Sequence, residues 1–109
     1  MESSPANFGV VLVTVASLQE GKAIAFDLID HELAACVNIM AISSIYRWQS
    51  KINQDQEYQL IIKTNLDQFD ELTERIELLH SYDVPEIIAL PIVAGAKPYL
   101  EWLGASLQR

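Results

Sequence analysis

The sequence predicts an α+β domain built on one antiparallel sheet with its helices on one face. Three observations predict it. Strand-like and helix-like hydrophobic periods alternate in the order β-α-β-β-α-β, followed by a short C-terminal helix. The first strand-like run is apolar at nearly every position, which suits a strand covered on both faces. The last contains Pro91, which cannot donate to a ladder and belongs on a sheet edge. This order is the split βαβ, or ferredoxin-like, topology, with strands one and three central and strands two and four at the edges.

Each element has its own signal. Residues 1–7 are polar, contain Pro5 and read as a flexible arm, which leaves 8–109 as a single domain. Phe8–Val15 is the dense valine-rich strand. From Ser17 to Ala34 the period changes: Ala25, Leu28, Ile29 and Leu33 share a helical face, and Ser17 followed by Glu20 is a capping box that starts the helix near Leu18. Val37–Ile52 is a long second strand. Its apolar residues move from odd positions (Val37, Ile39, Ala41) to even ones (Ile42, Tyr46, Trp48), and the switch predicts a bulge near Met40–Ile42. Asn53-Gln54-Asp55 reads as the hairpin turn, and Gln56–Thr64 as the returning strand. Asn65–Tyr82 is a helix with Phe69, Leu72, Ile76 and Leu79 on one face and Asp67 as N-cap. Glu86–Val93 is the edge strand, and Tyr99–Leu107 the terminal helix.

Composition narrows the partners. Seven Lys+Arg against fifteen Asp+Glu give a formal net charge of −8, a field that repels polyphosphate and makes nucleic acid a poor partner. Strands one and three also lack the paired aromatics and basic residues of an RNA-recognition surface. Four scattered glycines form no phosphate loop. One cysteine cannot form an internal disulfide and points to a reducing compartment. No basic stretch precedes an apolar core at the N-terminus, and no apolar run approaches the roughly 20 residues of a membrane span. The expectation is a cytoplasmic protein with no membrane partner.

The second strand asks for a partner. At ~3.3 Å per residue, residues 37–52 would reach about 50 Å. A long edge bearing Ile45, Tyr46 and Trp48 aggregates unless it is paired, and only Arg47 and Lys51 guard it. Pairing between unlike edges is heterologous and must close into a ring, for which three subunits are the preferred count. A hairpin bent back on its own domain is the alternative.

The residues able to carry chemistry are few. Cys36 lies among small apolar residues and reads either as a buried hydrophobe or as a nucleophile without a nearby base. Asp27 and His31, four apart, read as a solvated helix pair or a two-ligand metal site. His80-Ser-Tyr-Asp-Val-Pro-Glu86 is the densest polar cluster, at a helix-to-strand junction. Its nitrogen and oxygen donors suit Cu(II) or another divalent ion, and a structured turn capped by His80 is the other reading. Glu57 and Lys63 share a strand face and read as an ion pair or as pocket walls. No nucleophile–base pair can be named, so an enzyme is not expected.

The runs Ala35-Cys36-Val37-Asn38-Ile39, Ser44-Ile45-Tyr46-x-Trp48 and Ile61-Ile62-Lys63-Thr64 resemble the CutA family of divalent-cation-tolerance proteins, as do His80-x-Tyr82-x-x-Pro85-Glu86-Ile87-Ile88 and Tyr99-Leu100-x-Trp102. The resemblance covers nearly the whole chain from about Val10. It implies a ferredoxin-like homotrimer with the second-strand arm in the subunit interface, no enzymatic activity, no obligatory cofactor, and a role in the response to divalent metal ions, with copper binding. His80 and Glu86 match positions associated with metal. Tyr46, Trp48, Glu57, Lys63, Tyr82 and Trp102 would group around an inter-subunit cleft. Three features depart from the family: the cysteine that bacterial members carry in the first strand, near Val13, is absent, so a copper site built on it is not carried over, and Ser50 replaces a glycine and Ser81 a proline. A small-molecule signalling trimer similar to the nitrogen-regulatory proteins, holding an anion near Lys63, and a scaffolding trimer are the alternatives.

Overall fold

The computed structural model describes residues 2–3 and 6–107. Its main elements are β1 (Phe8–Val15), α1 (Leu18–Asp30), β2 (Cys36–Trp48), β3 (Lys51–Asn65), α2 (Phe69–Leu79), β4 (Ile87–Pro91) and α3 (Lys97–Ser106). The four strands form one antiparallel sheet in the order β2-β3-β1-β4. The expected βαββαβ order, the central pair and the proline-bearing edge are all present.

Alternation of side chains sorts the sheet into two faces. Val11, Val13 and Val15 of β1 and Leu60 and Ile62 of β3 pack against Ile24 and Leu28 of α1 and Leu72 and Ile76 of α2, all without exposure to solvent. In the same core Thr64 Oγ1 donates to the Leu33 carbonyl at 2.6 Å, which satisfies a buried hydroxyl. On the opposite face, α3 covers only the end at Phe8, through Leu100, Leu103 and Leu107. Across the rest of that face, Ile88 and Leu90 are half exposed beside their register partners Leu12 and Val10.

Several local expectations are corrected. The β2–β3 register runs from Cys36↔Lys63 to Trp48↔Lys51 without a break, so no bulge occurs near Met40–Ile42. The parity switch has another cause. Val37 and Ile39 face the core opposite Ile62 and Leu60, whereas the arm beyond them runs past both helices and burial no longer dictates its pattern. The turn lies at Gln49-Ser50, not at Asn53–Asp55, and Lys51 already belongs to β3. Both turn residues are left-handed, with φ of 52° and 65°, as a two-residue type I′ turn requires. A serine pays a steric cost there that glycine does not. Ser50→Gly should therefore stabilise the chain by about 1 kcal/mol, read as a higher urea midpoint at unchanged slope.

Asp67 is not the N-cap of the second helix. Asn65 Oδ1 accepts from the Asp67 N–H at 2.8 Å and opens a short 3-10 turn, Leu66–Gln68, before α2 begins. Glu57 and Lys63 form no pair, because six residues of strand separate them. Lys63 donates to Asn38 Oδ1, and Glu57 turns to Tyr82. Within the expected N-terminal arm, Glu2–Ser3 pair with Ala94–Gly95, and Asn7 Nδ2 donates to Asp67 Oδ1 at 3.1 Å. Residues 1, 4 and 5 of that arm lie outside the described residues.

The two helices are joined by a bidentate pair: Arg75 Nε and Nη2 donate to Asp27 Oδ1 and Oδ2 at 3.0 and 2.5 Å. His31 Nδ1 donates to the Asp27 carbonyl at 2.8 Å and closes the helix end. The Arg75 hydrogen bond holds the Asp27 carboxyl below its ordinary value, against the opposing effect of burial. A depressed folded value means the stabilisation is complete above the unfolded value, about pH 4, and is lost as pH falls through the folded one. Asp27→Asn should accordingly flatten the loss of stability below about pH 4, measured by urea denaturation across an acid series.

Candidate functional site

The helix-to-strand junction is built around one buried ring. α2 ends where His80 N donates to the Ile76 carbonyl at 2.9 Å and the backbone turns extended. The His80 side chain has no solvent exposure. Its Nε2 donates to the Thr14 carbonyl at 2.7 Å, and its Nδ1 accepts from the Tyr82 N–H at 3.0 Å. A carbonyl only accepts and an amide N–H only donates, so the two bonds together select the neutral Nε2–H tautomer. Both nitrogens are thereby engaged. A metal could reach the ring only by displacing one of these partners.

The rest of the junction is tied down from three directions. Glu20 does not reach back to its own cap. Its carboxylate accepts from Ser81 N at 2.8 Å and Ser81 Oγ at 3.0 Å, and lies 3.6 Å from His80 Nδ1. Tyr82 Oη donates to Glu57 Oε2 at 2.6 Å. Desolvation, aided by that hydrogen bond and the Glu57 charge, raises the Tyr82 phenol far above its ordinary value, so it remains a proton donor. Gln59 Nε2 donates to the Val13 carbonyl and to Glu86 Oε2, each at 3.3 Å.

Between this junction and the β2–β3 arm lies a cleft of about 800 Å³. Tyr46, Trp48, Glu57, Tyr82 and Glu86 line it together, so five of the eight singled-out residues meet there. On the arm, Tyr46 Oη donates to Asp55, which raises the Tyr46 phenol as well. His80 lies behind the cleft wall and holds its shape through Thr14 and Tyr82. Lys63 and Trp102 are not part of it. Lys63 is opposite Cys36 in the β2–β3 ladder, and Trp102 packs against Tyr99 on α3, ring centroids 5.4 Å apart. The cleft is acidic where an anion site near Lys63 was an alternative. Cys36 opens β2, half buried, with Sγ 4.0 Å from Asn38 Oδ1.

Thr14, Ser43, Ser44 and Glu20 escaped the sequence reading. Small hydroxyl residues within strands carry no local signal, and Glu20 has a complete explanation as a cap. Asp83 lay within the polar cluster and could have been chosen from it. Among the described residues, no three His, Cys, Asp or Glu side chains converge as a metal cage would require.

A family model described as CutA1 divalent ion tolerance protein matches residues 9–106. The chain belongs to the CutA1 family. Among CutA1-family relatives, the divalent-cation tolerance protein CutA of Thermus thermophilus is 50% identical over 95 residues, covering 86% of this chain and 92% of that protein. The chloroplastic protein CutA 1 of rice (Oryza sativa subsp. japonica) is 52% identical over 95 residues, 86% of this chain but 54% of its own length, so the chain spans about half of that CutA1 relative. The solved structure of the periplasmic CutA of Archaeoglobus fulgidus superposes with a TM-score of 0.91 at 37% identity, covering 93% of this chain and 99% of that one. The CutA1 match takes in both edge strands and the sheet from Gly9 onward. Among the described residues no helix is long and apolar enough to cross a membrane.

Proposed function

We propose that this chain acts without catalysis in the response to divalent cations, as a homotrimer that completes its ion site between copies. The observation that carries the reading is the unpaired outer edge of β2. Among the described residues, the thirteen from Cys36 to Trp48 form a ladder with β3 alone, and Ser43, Ser44, Ile45, Tyr46 and Trp48 of the same strand line the cleft. A neighbouring strand seated there satisfies the open backbone groups and brings further donors to Glu86 and Asp83. Cu(II) is the first probe, with His80 available only if its bond from Tyr82 N–H is given up. The single, half-buried thiol of Cys36 supports a reducing, cytoplasmic setting.

Light scattering during Cu(II) titration tests both parts. The expected result is a species of three chains that binds Cu(II) saturably, with affinity about ten-fold lower in Glu86→Gln. A stable single chain overturns the trimer, and equal affinity in the variant overturns the assigned site.

A further inference from the structure

The cleft contains a carboxylate with no ion-pair partner among the described residues. Glu57 is only 6% exposed. The hydrogen bond its carboxylate accepts comes from a neutral phenol, Tyr82 Oη. The ion pairs among the described residues involve Asp27 and Glu20, and none reaches Glu57. Lys63, further along the same face of β3, is engaged by Asn38. Burying a carboxylate without a counter-charge is unfavourable because it loses hydration that nothing replaces, so its placement calls for a cation. Asp83 and Glu86 on the same walls add to the negative potential.

The other walls say which kind of cation. Tyr46 and Trp48 line the cleft, and each keeps a large part of its surface open, 39% and 50% exposed. Aromatic faces attract ammonium and guanidinium groups and supply apolar contact for the carbon skeleton behind them. Ser44 and Ser81 add hydroxyl oxygens able to accept from N–H donors, whereas Ser43 Oγ already accepts from Gln56 Nε2 at 2.7 Å. A volume of about 800 Å³ is far larger than a bare ion and falls among cavities that take small organic molecules.

We propose that the cleft binds an organic cation, with an ammonium or guanidinium head against Glu57 and its carbon skeleton against Tyr46 and Trp48. This rests on the reading of the cleft as the ligand site and widens it from metal ions to a second class of cation. Only charge, aromatic surface and hydroxyl acceptors are required, all supplied by one chain.

Agmatine, which has a guanidinium at one end and an ammonium at the other, is the probe. Calorimetric titration of the full chain, with a chelator present and ionic strength matched by NaCl, should show saturable binding. n-Butanol, of similar carbon length and neutral, should give none. Glu57→Gln should weaken agmatine about ten-fold, and Trp48→Leu should weaken it several-fold. The absence of saturable binding up to about 10 mM, an equal response to n-butanol, or unchanged affinity in Glu57→Gln overturns the proposal. Circular dichroism checks that Glu57→Gln is folded. If it is not, Trp48→Leu, on the exposed arm, decides alone, and unchanged affinity there overturns the proposal. A parallel Cu(II) titration separates the two readings. Cu(II) binding without agmatine binding removes the organic cation and retains the metal, and agmatine binding without Cu(II) does the reverse.

Discussion

Ile88→Glu should leave the fold intact and break the proposed trimer into chains of 12.2 kDa. Ile88 lies on the edge strand β4, half exposed, on the sheet face that α3 leaves open. In a single chain a glutamate there remains hydrated, and the buried core on the other face is untouched. In the proposed trimer, a neighbouring copy covering this open face would carry the same carboxylate into an apolar contact. Its desolvation costs several kcal/mol per subunit without a partner charge. A cyclic assembly repeats that penalty at every interface, so even a strong association fails. Size-exclusion chromatography with light scattering measures the outcome, with circular dichroism as the control for folding. A variant that stays associated would show that the open face is not part of the interface and that the β2 edge alone holds the copies together.

His80→Ala should cost about 3 kcal/mol of folding stability. The ring is wholly buried, and two backbone groups depend on it. Truncation leaves the Thr14 carbonyl and the Tyr82 N–H without their partner and opens a void of imidazole size. Each of these terms is about 1–3 kcal/mol where water cannot enter. The loss is measured by urea denaturation, and a change below about 1 kcal/mol would mean that water replaces the ring at both sites. Stability and Cu(II) affinity should be read on the same samples. A metal ligand loses both when truncated, whereas a ring that only shapes the cleft loses the first and changes the second through Tyr82 alone.

Residue patterning alone makes the sheet legible. The valine run of β1 and Pro91 of β4 fixed a centre and an edge, because burial on two faces and a missing N–H leave direct traces in residue choice. Boundaries within the long hairpin were not legible. No glycine marks the turn at Gln49-Ser50, and the polar trio Asn53–Asp55 gave a stronger signal in the wrong place. Much of the cleft lining was legible because its residues cluster in sequence between His80 and Glu86 or stand out as aromatics on the arm. Lys63 was misplaced for a physical reason. Alternation puts it on the same face as Glu57, but six residues of extended strand carry it to the far end of that face. The contacts of His80 could not be foreseen at all, since a carbonyl from β1 has no signature in the sequence.

The unbroken β2–β3 register has a consequence for how such an arm can vary in length. Every pair along it, from Cys36↔Lys63 to Trp48↔Lys51, meets without an extra residue on either side. Adding or removing one residue per strand between the turn and the core would send Tyr46 and Trp48 to the opposite face and exchange the aromatic wall for its neighbours. Two residues per strand would preserve the facing and move the wall by about 7 Å. Arms of this kind can therefore lengthen or shorten only in even steps if the cleft is to survive.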